Sequence, residues 1–215
     1  MARAGSEIAN RFGQSVSNSL LSAILNIIYD AYKSTYDECE RAFDKTELKN
    51  ILPHYRWAKI NTLLRGLSES LGVNVTAELN KSRNSYHALL VAGGVRMTPS
   101  AIENRNELPR EALFRETYAE NNQLSMFDDN APRNEDAPLY GLILHAPSSN
   151  QKEPRFVDIA FPDSEYKRYV GNKINLFQLF PETVASRSVQ LEEFVATEPQ
   201  VKPRRRIARK NERSA

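Results

Sequence analysis

The sequence predicts an α+β protein, and two patterns carry this prediction. Apolar residues recur at spacings of three and four along residues 17–43, which is the period of one helical face. Later stretches, "VNVTAEL", "LYGLILHAP" and "RFVDIAF", are rich in β-branched and apolar residues and are typical of strands. Because the helical patterns come first and do not alternate regularly with strands, their order favours α+β over a doubly wound parallel sheet.

The first third of the chain is expected to be helical. Leu20, Ile24 and Ile28 lie on one face of a long helix, which Ser17 or Asn18 can cap. A second helix is predicted from a capping box at Asp44 and Glu47. Pro53 is expected to interrupt it, so that a third helix runs from residue 54 to Gly72.

The remaining elements are predicted as hairpins and short helices. Residues 73–98 form strands, with a turn at "KSRN" and a break at Gly93–Gly94. Short helices are expected after Pro99, over residues 109–121, and over residues 163–170 with Asp163 as the cap. "LYGLILHAP" and "RFVDIAF" form a hairpin, and "NKINLFQLFPE" is an edge strand or a docking segment in which the aromatic residues belong to the core.

Three regions follow from these patterns: helical residues 1–72, a mixed α+β region over residues 73–181, and a flexible tail over residues 182–215. The tail is basic at its end, since residues 201–215 carry seven Lys or Arg and one Glu. Residues 1–200 then hold 22 basic and 26 acidic side chains, a net charge of −4. A basic arm on an acidic body is typical of a disordered contact segment.

Composition and motifs disfavour several functional classes. Apolar runs are too short to cross a bilayer and the N-terminus does not resemble a secretory signal, so we expect a cytoplasmic protein without membrane contact. Phosphate-loop, dinucleotide, zinc-protease and serine-hydrolase motifs do not occur. We therefore expect a non-enzymatic protein with no cofactor and no metal. The acidic neighbours of Cys39 make it a poor nucleophile. His87, His145 and Asp158 could still meet as a metal or acid–base site.

The most informative stretch is "AENNQLSMFDDNAPRNEDAP" at residues 119–138. Three large apolar residues, Leu124, Met126 and Phe127, stand there in a very polar setting, and such residues often mark a surface for another molecule. Gln123 offers a donor and an acceptor that can fix register, and Ser125 is a small spacer. Read as a peptide ligand, the five residues are Gln123, Leu124, Ser125, Met126 and Phe127.

This pentapeptide resembles the bacterial sliding-clamp-binding motif, Gln-Leu-x-Leu-Phe, with Met126 in place of the second leucine. A small protein that presents it from an internal loop is similar to the clamp-targeting toxins of the SocB kind. The resemblance implies binding to the sliding clamp, the β subunit of DNA polymerase III, and a block of replication elongation. It also implies a cognate antitoxin that acts as a proteolytic adaptor and delivers the toxin to an ATP-dependent protease. The similar string "QLEEF" at residues 190–194 has Glu193 where an apolar anchor belongs.

Two alternatives remain open from the sequence. A DNA-binding regulator would use two N-terminal helices and a weak nucleic-acid contact in the tail. Its helix residues are Lys49, His54, Arg56, Lys59 and Arg65, and its tail residues are Arg204, Arg205, Arg206, Arg209 and Lys210. Alternatively, Leu124, Met126 and Phe127 pack back onto the protein's own core as a returning loop.

Overall fold

The computed structural model describes residues 2–80, 83–122 and 137–187, with side chains from residue 7 onwards. Helices and a six-stranded mixed sheet confirm the predicted α+β class. The described residues up to 181 belong to one compact unit, and residues 182–187 belong to a second unit, in which they are helical. Within the described residues, none of the helices combines the length and apolar character that crossing a bilayer requires.

Three helices cover one face of the sheet. They are α1 (Ala2–Ser15), α2 (Asn18–Ala42) and α3 (Lys45–Arg65). The predicted caps are confirmed: the Ser17 hydroxyl accepts from the Leu20 N–H at 3.2 Å, and the Asp44 carboxylate accepts from the N–H groups of Thr46 and Glu47. The predicted apolar face of α2 is fully buried, so burial of that face holds this layer in place.

Helix α3 corrects the sequence-based boundary at Pro53. The helix runs through Pro53 without a break and ends at Arg65, and only a short 3-10 turn, Glu69–Leu71, precedes Gly72. Leu52, Ile60 and Leu64 of α3 are buried. Their burial on both sides of Pro53 explains why the helix continues despite the hydrogen bond that proline removes.

The sheet has the strand order β1-β2-β3-β4-β5-β6. Its strands are β1 (Asn74–Leu79), β2 (Tyr86–Ala92), β3 (Val95–Ala101), β4 (Leu139–Pro147), β5 (Pro154–Ala160) and β6 (Ile174–Asn175). The predicted hairpin of β4 and β5 is confirmed, as is the turn at Gly93, which has φ of 52°. Strands β3 and β4 pair in parallel, whereas the other pairs are antiparallel.

A parallel pair needs a crossover connection. Residues 102–138 make this connection, and its described part before residue 123 packs on the face of the sheet opposite the three helices. This crossover contains α4 (Leu113–Ala119) and a 3-10 turn, Glu120–Asn122. It covers a second apolar cluster that includes Ile102, Tyr140, Leu142 and Leu144. Strand β4 is thus buried on both faces, which accounts for its nearly continuous apolar sequence.

Two short elements differ from the sequence-based expectation, and a third agrees with it. Pro99 lies inside β3 rather than at a helix start. Residues 163–170 form a turn, in which the Asp163 carboxylate accepts from the N–H groups of Lys167 and Arg168, and Tyr166 has φ of 53°. The predicted edge strand near residue 174 is present as β6, followed directly by the single-turn helix α5 (Leu176–Leu179).

Candidate functional site

The residues of the predicted clamp-binding pentapeptide, 123–127, lie outside the described residues, as do the basic residues of the tail. The structure does describe the two stems between which the pentapeptide stands. One stem is the 3-10 turn that ends at Asn122, and the other is residues 137–138, which lead into β4. The candidate site therefore belongs to the crossover that joins the parallel strands β3 and β4.

Asn122, the residue directly before the pentapeptide, is buried, with 3% of its surface exposed. Its Nδ2 donates to the carbonyl oxygens of Tyr140 and Pro162, each at 2.8 Å. Its Oδ1 accepts from the Tyr140 N–H at 2.7 Å. We call these three hydrogen bonds the stem anchor: two of them join the residue before the pentapeptide to β4, and the third joins it to Pro162, just after β5.

Tyr140, which is the partner of Asn122 in two of these hydrogen bonds, is itself held in the core by its side chain. Its hydroxyl lies 2.7 Å from Thr98 Oγ1 on β3, and its ring packs against that of Tyr118 on α4 at 5.3 Å. Burial raises the pKa of Tyr140 well above its usual value, so the phenol stays neutral. The anchor thus rests on β3, β4 and α4 together.

The return stem has a further contact with the helical layer. Arg11 on α1 donates from Nη2 to the carbonyl oxygen of Ala137 at 2.8 Å. Asn122 and Tyr140 are in direct contact, so the two described ends of this connection lie close together. Closely spaced, fixed ends are the geometry by which a rigid scaffold positions a binding loop.

Sequence reasoning missed Asn122. In "AENNQLSMF" it is one of several polar residues before the pentapeptide, and a polar residue in such a setting is expected to face water. Its role depends on the backbone of Tyr140, 18 positions later. Only its place directly after a helical pattern, where asparagine often ends a helix, marks the position.

The proposed meeting of His87, His145 and Asp158 is wrong. His145 faces the helical layer, where its Nδ1 lies 2.8 Å from the Tyr32 hydroxyl. His87 lies on the crossover side, with its ring stacked on Phe114 at 3.9 Å. The sheet separates the two histidines, because their strands present them to opposite faces.

Asp158 is part of a structural ion pair. Its carboxylate is fully buried and receives hydrogen bonds from Arg105 Nε at 2.5 Å and Nη2 at 2.6 Å. This two-point pairing satisfies a buried charge. Among the described residues no cluster of His, Cys, Asp and Glu could hold a metal ion.

Three other sequence-based expectations can be placed. Cys39 is buried, and burial, with Glu38 nearby, raises the pKa of its thiol, which is the direction that the sequence predicted. The aromatic residues of "NLFQLF" were expected to serve the core, and Phe177 stacks on Tyr29 at 5.7 Å. The pattern that suggested two DNA-binding helices is one continuous helix, α3, in which Arg56 is only 5% exposed.

Arg56 has intramolecular partners. Its Nη2 donates to the Gln151 carbonyl at 2.8 Å, and its guanidinium lies 4.0 Å from the centre of the Tyr32 ring. On the same helix, Lys59 pairs with Glu38 at 3.0 Å. Both side chains are therefore engaged with the fold itself.

Comparisons of the chain with protein-family models, curated proteins and solved structures give no significant match.

Proposed function

We propose that this protein binds the bacterial sliding clamp through residues 123–127 and competes there with replication proteins. The observation that carries the proposal is the pentapeptide Gln-Leu-Ser-Met-Phe directly after the buried Asn122 of the stem anchor. Fixed stems reduce the entropy that a loop loses on binding. The structure supports the proposal through the fixed stems. The pentapeptide supports it through its three apolar side chains and its glutamine.

The apolar residues are sufficient for useful affinity. Burying a Leu, a Met and a Phe contributes about 1.5–3 kcal/mol each, which gives micromolar binding after ordering costs are subtracted. Met126 replaces the second leucine of the usual motif by a flexible residue of similar size, which adapts to an apolar pocket. Gln123 fixes the register through its amide group.

In this proposal the protein acts as a cytoplasmic, non-enzymatic toxin. It occupies the clamp pocket that the replicative polymerase needs, so elongation stops while it is bound. A cognate antitoxin serves as the proteolytic adaptor that delivers it to an ATP-dependent protease. The resemblance to clamp-targeting toxins supports these partners.

The test measures binding of the full-length protein to purified sliding clamp by calorimetry. Gln123→Ala with Phe127→Ala is expected to weaken binding by roughly 700-fold, since the central anchors of an interface contribute about 2 kcal/mol each, or about 4 kcal/mol together. Gln190→Ala with Phe194→Ala, in the similar string "QLEEF", is the matched control and should bind like the wild type. Wild-type affinity in the first double variant would disprove the assignment.

A cellular experiment tests the consequence of binding. Expression of the wild-type protein alone should arrest growth and DNA synthesis, whereas the Gln123→Ala, Phe127→Ala variant should be harmless at the same protein level. If both proteins arrest growth equally, the toxicity does not arise from the pentapeptide. The lifetime of the protein in cells that lack individual ATP-dependent proteases tests the adaptor part of the proposal.

The alternative of a DNA-binding regulator receives less support. Arg56 and Lys59 of its proposed helices pair within the protein. Its remaining candidate contacts are Lys49, His54 and Arg65, which are exposed on α3, and the basic tail. Duplex binding that falls steeply with salt and disappears on deletion of residues 202–215 would favour this alternative.

A further inference from the structure

A cavity of about 260 Å³ lies where α3, the β1–β2 hairpin and residues 110–115 meet. Its described lining residues do not include those of the stem anchor. Its size is just below the usual range for small-molecule pockets, about 300–1,000 Å³. A fragment-sized ligand with one ring is therefore the largest that it accommodates without rearrangement.

The walls of the cavity combine flat apolar surfaces with polar groups. Trp57 and Phe114 provide aromatic surfaces, and Pro99 adds an apolar one. Asn80 and Ser85, at the two ends of the hairpin loop, add an amide and a hydroxyl. Trp57 is 41% exposed, which is unusual for a large aromatic residue unless it serves a contact.

Positive charge predominates along the lining. Arg110 and Arg115 both line the cavity, against a single carboxylate, Glu111. Arg115 is held in place by a hydrogen bond from its Nη1 to the Arg110 carbonyl at 2.6 Å, while its buried Nε has no partner in the part of the chain that is described. A guanidinium group with an unused N–H donor can form charge-assisted hydrogen bonds with carboxylate and phosphate oxygens.

His87 also lines the cavity and has an unmet hydrogen-bonding requirement. It is 7% exposed, and neither ring nitrogen has a hydrogen-bond partner among the described residues. Burial and the charge of Arg115 lower the pKa of His87, so the ring is neutral at pH 7. A buried polar group without a partner costs about 1–3 kcal/mol, and such groups call for an explanation beyond stability.

We propose that this cavity binds a small molecule that carries an oxyanion, either a carboxylate or a phosphate, next to a flat apolar ring. The ring lies against Trp57 and Phe114, and the anion lies against Arg110 and Arg115. The neutral His87 ring beside them leaves the arginines as the source of positive charge.

Trp57 makes the proposal directly testable, because it is the single tryptophan of the chain. The wild-type protein is titrated with benzoate, phenyl phosphate, inorganic phosphate and benzylammonium while tryptophan fluorescence is recorded. A saturable change is expected with benzoate or phenyl phosphate, in the millimolar range typical of such fragments. Whichever of the two binds more tightly identifies the class of anion.

Variants separate specific binding from general charge effects. Arg110→Gln is expected to weaken binding by about tenfold, the contribution of one charge-assisted hydrogen bond. Arg65→Gln, an exposed arginine on the same helix as Trp57 but outside the cavity lining, should leave affinity unchanged. Far-UV circular dichroism verifies that both variants fold.

Three results would overturn the proposal. The first is a lack of saturation with either aromatic anion at about 20 mM, well above the millimolar range. The second is an affinity for benzylammonium or for inorganic phosphate that equals the affinity for the aromatic anions. The third is undiminished binding of both aromatic anions in the folded Arg110→Gln variant.

Discussion

The side chain of Asn122 bonds both polar groups of the Tyr140 backbone, donating to its carbonyl oxygen and accepting from its N–H. One buried amide thereby holds the end of the crossover helix against the start of the central strand. Three backbone groups depend on this side chain, the third being the Pro162 carbonyl.

Replacing Asn122 by Ala should lower the free energy of unfolding by about 1–3 kcal/mol, since a buried backbone group left without a partner is costly. Urea unfolding followed by circular dichroism measures the change. Asn121→Ala is the matched control, with an expected change within about 0.5 kcal/mol. Equal effects of the two substitutions would show that the stem anchor does not stabilise the fold.

The same substitution should weaken clamp binding if the proposed function is correct. Asn122→Ala leaves the pentapeptide unchanged but frees its stem, so the entropy lost on binding increases. Calorimetry with purified clamp, under conditions in which the variant is folded, should show an affinity reduced severalfold. Unchanged affinity would mean that the pentapeptide acts independently of its stems.

Tyr32→Phe should lower the free energy of unfolding by about 1–2 kcal/mol, because it removes the hydroxyl that lies 2.8 Å from the buried His145 Nδ1. His87→Leu is the informative comparison. The ring nitrogens of His87 have no hydrogen-bond partner in the described part of the chain, so its replacement should not reduce stability by more than about 1 kcal/mol. Urea denaturation measures the free energy of unfolding of both variants. A loss of more than about 1 kcal/mol in His87→Leu would contradict the unpaired state of that ring.

Stability should decrease as the pH falls below that at which unfolded histidine titrates. Burial lowers the pKa of His145 to about 3, whereas the unfolded side chain has a pKa of about 6.5. Between these values the unfolded chain binds a proton that the folded protein does not, so the stabilisation present above pH 6.5 is lost on acidification by about 1.4 kcal/mol per pH unit.

Unfolding free energies at several pH values from about 7 to 4.5 measure this dependence. His145→Leu should reduce the slope by about 1.4 kcal/mol per pH unit, the contribution of one proton. A slope that is the same in wild type and His145→Leu would show that His145 does not contribute to the pH dependence.

Arg105→Met should destabilise the protein by about 3 kcal/mol at neutral pH, because it leaves the fully buried Asp158 carboxylate without its two-point partner. Adding Asp158→Leu to this variant should restore much of the loss, since an apolar pair needs no such partner. Thermal and urea unfolding measure both variants. A double variant less stable than Arg105→Met alone would contradict this account.

The sequence was informative wherever local chemistry decides the structure. The caps at Ser17 and Asp44 and the hairpin turn at Gly93 follow from hydrogen bonding and backbone preference within a few residues. The apolar face of α2 was equally readable, because burying that face requires a period of 3.6 residues. Local preference gave the wrong prediction at Pro53 and Asp163. Proline usually interrupts a helix, but packing of α3 overrides that preference at Pro53. Asp163 was expected to cap a helix and instead closes a turn.

By itself the sequence determined the α+β class, the positions of α2 and the β4–β5 hairpin, and the pentapeptide at residues 123–127, because each is a local pattern. The tertiary structure decided that β3 and β4 are parallel, that His87 and His145 lie on opposite faces of the sheet, and that Asn122 contacts Tyr140. These relationships join residues far apart in the chain. Their energy comes from burial and hydrogen bonding across the sheet, which local periodicity does not encode.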